Sequence, residues 1–141
     1  MSGYLLDTNI VSEIRKQQRA DPKVLKWFQS VKDDDLFLSV LVLGEVRKGV
    51  EQVRASDPAQ ARILERWLSV TEQAYAERIL PVTPKIADEW GRLSAARPLA
   101  TIDALLAATA LIYDLTLVTR NVQHVAHTGA KWFNPFNSKA G

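Results

Sequence analysis

Three acidic residues occupy positions where the surrounding pattern would otherwise place apolar side chains. Asp7 directly follows an apolar run that begins at Gly3, Glu45 lies inside the apolar stretch 41–46, and Asp103 opens another at 102–112. Carboxylates are rarely buried without a partner. If the three converge, two charges about 5 Å apart at an effective dielectric near 20 repel each other by about 3 kcal/mol. A positive group should then lie among them, and since the chain has no cysteine, Mg²⁺ or Mn²⁺ is the natural candidate for such oxygen ligands.

Each acid also has an ordinary structural explanation. Asp7 could cap the helix that follows the first strand, and Glu45 could be a solvated helix residue. Asp103 could share the capping of its helix with Thr101. Taken one residue at a time, these explanations stay open.

Composition and length predict one globular domain over residues 1–141. The 141 residues are 47% hydrophobic and 24% charged, which are ordinary values for a compact fold. The net charge of +2 is only a weak sign of a polyanionic partner. The lack of cysteine fits a reducing cytosol, and the start of the chain lacks the charged and apolar regions of a signal peptide. The longest apolar run, 104–113, is about half as long as a membrane span, so we expect a cytoplasmic protein with no membrane partner.

Short apolar runs alternate with longer segments of helical periodicity. The expected strands are 3–7, 36–40, 80–83, 115–119 and 131–133. The expected helices are 8–16, one beginning at Asp21-Pro22, 41–54, 59–78, 84–97 and 102–112, the last capped by Thr101. This alternation predicts an α/β fold with a mostly parallel central sheet flanked by helices. Ligands gather at the carboxyl ends of such strands, where Asp7 and residues 119–121 would lie.

Four segments, in order and at compatible spacing, resemble motifs of the PIN-domain family, in particular the VapC-like and FitB-like toxins of type II toxin–antitoxin pairs. They are Leu5-Leu-Asp-Thr-Asn-Ile10, Ser39-Val-Leu-Val-Leu-Gly-Glu-Val-Arg-Lys-Gly49, Thr101-Ile-Asp-Ala-Leu-Leu-Ala-Ala-Thr-Ala110 and Leu117-Val-Thr-Arg-Asn-Val122. The tail from His127 to Phe136 resembles that of FitB-like members. The resemblance covers nearly the whole chain.

The resemblance implies a Mg²⁺-dependent endoribonuclease, with Mn²⁺ as an alternative, in which the metal activates a water that hydrolyses an RNA phosphodiester. Asp7 and Asp103 would ligate the metal, and Glu45 would do so directly or through a water. The other positions implied to shape the metal pocket or approach the phosphate are Thr8, Asn9, Thr119, Arg120 and Asn121. Arg120 could clamp a phosphate with its planar fork, or it could be an ordinary surface arginine.

The resemblance also implies partners. A homodimer would be held inactive by a small cognate antitoxin, in a larger assembly that binds DNA through the antitoxin. An extended antitoxin segment would lie across helices rich in apolar and aromatic side chains, such as the region of Trp27 and Phe28.

One position departs from the family's pattern. The active-site loop of the family usually continues Asn-x-x-Asp-Phe, whereas this chain has Asn121-Val-Gln-His124-Val. His124 is therefore a variant fourth position, which either reaches the metal, or points to solvent or hydrogen-bonds the loop. The change keeps a second hypothesis open, a catalytically weakened module that acts by binding antitoxin or RNA. A third hypothesis is a phosphatase or DNA nuclease that uses the same acids.

Overall fold

The computed structural model describes residues 3–137, and within them a single sheet of five strands forms the centre of the molecule. In chain order the strands are β1 (Tyr4–Leu6), β2 (Leu36–Ser39), β3 (Ile79–Leu80), β4 (Thr116–Val118) and β5 (Trp132–Phe133). They are arranged β3-β2-β1-β4-β5, and every neighbouring pair is parallel. The predicted α/β fold is thus confirmed. Leu5 and Leu6 of the central strand are fully buried, as expected for a parallel sheet covered on both faces.

Six α-helices connect these strands in the described residues. They are α1 (Thr8–Ile14), α2 (Pro22–Ser30), α3 (Val40–Arg54), α4 (Pro58–Ala74), α5 (Pro84–Ala96) and α6 (Thr101–Tyr113). Three of them begin with a polar cap followed by proline: Asp21, Asp57 and Thr83 each accept a hydrogen bond from a backbone N–H of the first turn. The two Asp-Pro pairs predict the first two caps, whereas the sequence pattern predicts Thr83 at the end of a strand. None of the helices in residues 3–137 combines the length and apolar character needed to cross a membrane.

The apolar helix α6 lies in the core, as predicted. Six of its residues are buried: Ala104, Leu106, Ala107, Ala108, Thr109 and Ala110. Its predicted cap is wrong, because the helix begins one residue earlier than expected. Thr101 is its first residue, Ala100 is the N-cap, and no side chain caps the end.

The segment after α4 differs from the prediction of one long helix to residue 78. α4 ends at Ala74, and a 3₁₀ turn, Ala76–Arg78, leads into β3. The Nε of Arg78 donates to the carbonyl of Leu36 over 2.9 Å, which draws this segment onto β2. β3 is therefore Ile79–Leu80 rather than 80–83, and Thr83 serves as the cap of α5.

The strand registers bring the chemistry-bearing residues to one edge of the sheet. Leu6 pairs with Val118, so Asp7 and Thr119 leave adjacent strands side by side. α3 starts directly after β2, which places Glu45 in its second turn at the same edge. α6 ends where β4 begins, so its first turn, with Asp103, lies at the carboxyl ends of the strands.

Candidate active site

Asp7 is a buried carboxylate held by three donors. Its side chain accepts from the Thr8 backbone N–H at 2.7 Å, the Thr119 hydroxyl at 2.7 Å and the Asn9 amide at 3.1 Å. Only 5% of the residue is exposed. Burial raises the pKa of Asp7; the bonds from Thr119 and Thr8 lower it, and the carboxylates of Asp103 and Glu45 raise it further. Asp7 does cap α1, and it is also the centre of an acidic group.

Glu45 and Asp103 both lie close enough to act on Asp7 electrostatically, and each has its own partner. The Thr8 hydroxyl donates to Oε1 of Glu45. Nδ1 of His124 lies 2.9 Å from Oδ2 of Asp103, a hydrogen bond in which the ring nitrogen donates when the carboxylate is ionised. Asp103 therefore does not cap its helix; it faces the loop that follows β4.

That loop is joined to the turn after β1. Thr119, with 1% of its surface exposed, also accepts from the Asn121 backbone N–H at 3.0 Å. The Arg120 backbone N–H donates to Oδ1 of Asn9 at 3.1 Å. Asn9 and Thr119 thus orient Asp7 from inside the fold, whereas the side chains of Arg120 and Asn121 are exposed at the edge.

The donor set suits a divalent cation in its chemistry. All three acids offer hard oxygen ligands, and the raised pKa of Asp7 comes partly from the two other carboxylates, a repulsion that a cation would offset. Within residues 3–137, however, no three acidic, histidine or cysteine side chains are grouped tightly enough to hold a metal ion. Glu45 is turned to Thr8 and Asp103 to His124, so the three carboxylates share an edge without surrounding one point.

A cleft of about 590 Å³ opens beside this edge. The loop after β4 and strand β5 form it, and its lining includes Arg120, Asn121, Gln123, His124, Trp132 and Phe133. The family motifs do not cover Gln123 or Trp132 as site positions. No pattern in the sequence marked them; the structure shows Trp132 to be 44% exposed on the short edge strand β5, next to the partly buried Phe133.

The sequence model of the PIN domain matches residues 4–129. The chain belongs to the PIN domain family. The resemblance seen in the four motifs is thereby confirmed. Proteins of known structure share the fold of this PIN domain.

Two named relatives align with this PIN domain almost end to end. Toxin FitB of Neisseria gonorrhoeae is 28% identical over 138 residues, which cover 94% of this chain and 98% of the relative. VapC ribonuclease Y4jK of Sinorhizobium fredii is 28% identical over 140 residues, covering 94% and 96%. Among solved structures, FitAB bound to an IR36 DNA fragment superposes with a TM-score of 0.86 at 25% identity, covering 97% of this chain and 98% of the other.

Proposed function

We propose that this PIN domain is a metal-dependent endoribonuclease and the toxin of a type II toxin–antitoxin pair. The observation that carries the proposal is the acidic edge, where the pKa of buried Asp7 is raised by burial and further by Asp103 and Glu45. Acids with a purely structural role usually have cationic partners, whereas these three lie at one edge of the sheet, close enough for Asp103 and Glu45 to raise the pKa of Asp7. The names of the relatives, one a toxin and one a ribonuclease, support this assignment.

In this proposal Asp7 and Asp103 hold Mg²⁺, or Mn²⁺ in its place, and Glu45 binds it directly or through a water. The bound metal supplies an activated water and offsets negative charge on the phosphodiester. The chain's own hydrogen bonds orient the acids: Thr119 and Asn9 fix Asp7, the Thr8 hydroxyl fixes Glu45, and His124 fixes Asp103. Arg120 and Asn121 are exposed where a phosphate would approach.

The structure also favours a second candidate, a weakened nuclease that acts by binding antitoxin or RNA. His124 is hydrogen-bonded to the carboxylate of Asp103. In the described residues, no three metal-binding side chains are grouped tightly enough to hold an ion. Nuclease assays with added metal separate the two candidates.

The first test compares substrates and one pair of acid variants. Wild-type protein is assayed on single-stranded RNA, single-stranded DNA and a phosphomonoester, with Mg²⁺, with Mn²⁺ and with excess chelator. We expect metal-dependent cleavage of RNA, nearly abolished by Asp103→Asn because a ligand charge is lost. The matched control is Asp88→Asn on α5, an exposed acid paired with Arg92, which should cleave normally. Full activity of Asp103→Asn, or of wild type in chelator, contradicts the mechanism, and preferential cleavage of DNA or the monoester contradicts the substrate.

A cognate antitoxin and a homodimer complete the proposal, with DNA binding contributed by the antitoxin; the neighbour FitAB on DNA supports this arrangement. The predicted docking region around Trp27 is partly used by the fold, because its ring packs against Tyr4 and Phe133 at 5.3 and 5.7 Å. A groove between α1, α3 and α4 is a better binding site for an antitoxin segment. It includes Glu45, Val46, Val50, Leu64 and Trp67, so a basic antitoxin side chain lying there could reach the acids.

The partner proposal has its own test. The chain is expressed alone and with any short reading frame that adjoins its gene, and host growth, co-purification and molar mass are measured. The partner proposal is supported if the chain is toxic when it is expressed alone, if the product of the adjoining frame relieves that toxicity, and if the molar mass is that of a dimer. Free expression without harm or co-purification contradicts it.

A further inference from the structure

The 590 Å³ cleft beside the acids has a lining that the proposed hydrolysis does not use. Its volume falls in the range of roughly 300–1,000 Å³ that is typical of small-ligand sites. Two of its walls are bonded to the acidic edge. His124 contacts Asp103 at 2.9 Å, and the Asn121 N–H donates at 3.0 Å to the Thr119 hydroxyl, which in turn donates to Asp7. A group in the cleft would therefore lie next to a phosphate at the acids.

The lining combines an exposed aromatic ring with free amide groups. Trp132 is 44% exposed on the edge strand β5. The side-chain amides of Asn121 and Gln123 form no hydrogen bond with any part of the chain in residues 3–137. Each amide offers both donors and an acceptor. A nucleobase has the matching chemistry, since its face stacks on aromatic rings and its edge pairs with amides.

The cleft also contains a cation without an acidic partner at salt-bridge distance in the described chain. The guanidinium of Arg120 lies over the ring of Phe136 at 4.4 Å, a cation–π contact that holds it at the cleft. The pKa of Glu13 is lowered chiefly by Lys16, then by the Asp21 N–H, with Arg120 a lesser cause. The carboxylate of Glu13 is bonded to those first two groups at 2.9 and 2.8 Å. Arg120 therefore remains open to a phosphate, and its charge offsets the repulsion that the acids exert on RNA.

We propose that this cleft binds the nucleobase of a single-stranded RNA nucleotide flanking the scissile phosphate. Trp132 stacks on the base, Gln123 and Asn121 contact its edge, and Arg120 binds the adjoining phosphate. The role of RNA here rests on the proposed function. A base preference at one position of the cleavage site follows from it. A peptide of a protein partner is the competing occupant, and the open cation favours the nucleotide because Arg120 can bind its phosphate.

The experiment measures RNA binding in excess chelator, so that the wild-type site is intact and cleavage is suppressed. The probes are fluorescein-labelled hexanucleotides of A, C, G and U, followed by anisotropy. We expect Trp132→Leu to weaken binding of the preferred base roughly 5- to 100-fold, the range that the loss of one stacked base gives. Trp132→Phe should restore most of the affinity because it keeps an aromatic face. Gln123→Ala should change the ranking of the four bases.

Matched controls remove similar groups elsewhere. Ile63→Ala removes an apolar side chain that is 60% exposed on α4, and Gln73→Ala removes an exposed amide of the same helix. Both should bind like wild type. Thermal melts of all variants check folding. If Trp132→Leu is unstable, the RNA binding of Gln123→Ala decides the test.

Unchanged affinity of Trp132→Leu and Gln123→Ala for all four probes overturns the proposal. If the two variants bind RNA like wild type but no longer co-purify with the antitoxin, the cleft binds a peptide and the proposal is overturned. Trp132-dependent binding in a protein that cleaves no RNA with any metal sustains the cleft and contradicts the proposed function. If the protein cleaves RNA with metal but its Trp132 and Gln123 variants bind all four probes normally, the proposed function is supported and the nucleobase site is contradicted.

Discussion

The hydroxyl of Thr119 donates a hydrogen bond to the carboxylate of Asp7 over 2.7 Å, although the two residues are 112 positions apart in the chain. The parallel pairing of β1 with β4, with Leu6 opposite Val118, places both residues at the same edge of the sheet. Both residues are buried, so the bond between them is largely shielded from solvent. The orientation of the central acid is therefore set by strand register.

Thr119→Val tests that relationship. The change removes the donor while keeping the side-chain shape, and the loss of a group that orients a metal ligand typically costs about 10- to 100-fold in metal affinity or activity. We expect RNA cleavage and metal affinity to fall by that amount. Thr109→Val is the matched control, because its equally buried hydroxyl bonds only to the Leu105 carbonyl of its own helix. Equal losses in both variants would point to a general packing defect.

Asp7→Asn predicts a pH-dependent difference in stability. Burial, with the two neighbouring acids, raises the folded-state pKa of Asp7 above its usual value of 3.8. The folded protein therefore binds this proton more tightly than the unfolded chain, so ionisation of Asp7 destabilises the fold as pH rises from about 3.8 through the raised pKa, by about 1.4 kcal/mol for each unit of pKa shift. Asparagine caps helices as well as aspartate does.

The free energy of unfolding of metal-free wild type minus that of Asp7→Asn should thus increase as pH falls from 7 to 4. Urea denaturation in chelator at several pH values measures it. Adding Mg²⁺ at pH 7 should raise the stability of wild type and leave the variant unchanged, because a ligand that binds only the folded state stabilises it. A pH-independent difference between the two proteins would contradict the raised pKa.

His124→Asp should increase magnesium affinity. The substitution brings a further carboxylate to the side of Asp103 that the imidazole now occupies. A carboxylate about 5 Å from a divalent cation at an effective dielectric near 20 is worth up to about 7 kcal/mol before desolvation, so a gain of roughly tenfold or more is expected in calorimetric titration. Without metal, the same variant should melt at lower temperature. His127→Asp makes the same charge change at an exposed position of the same loop. If the two variants bind Mg²⁺ alike, His124 has no part in the metal site.

Three glycines should respond to alanine in opposite directions. A Cβ at Gly44 in α3 or Gly91 in α5 would meet nothing within 4 Å. Alanine should stabilise each helix by about 0.5–1 kcal/mol, because glycine loses more backbone entropy on folding. At Gly3 the Cβ would lie 2.6 Å from Cδ2 of Leu115 and 3.1 Å from Cε2 of Phe37, so Gly3→Ala should destabilise by about 1–3 kcal/mol. Urea denaturation of the three variants checks the signs, and a uniform gain would show that the space near Gly3 can adapt.

Local sequence patterns predicted much of this molecule. The caps Asp21 and Asp57, each before a proline, place two helix starts to within one residue, because capping depends on residues within one turn. The apolar run of α6 predicts its burial, and acids in apolar surroundings identify Asp7, Glu45 and Asp103 as candidates. These features depend on near neighbours and on periodicity, which one chain displays directly.

Which side chains meet across the fold was decided by the tertiary structure. The bond of Thr119 with Asp7, the bond of Arg78 with Leu36 and the bond of His124 with Asp103 join residues that are 112, 42 and 21 positions apart. Strand order and register determine such meetings, and a residue pattern specifies which face of a strand is buried but not which strand lies beside it. The acids were therefore recognisable from the sequence, whereas their partners depend on how the five strands are assembled.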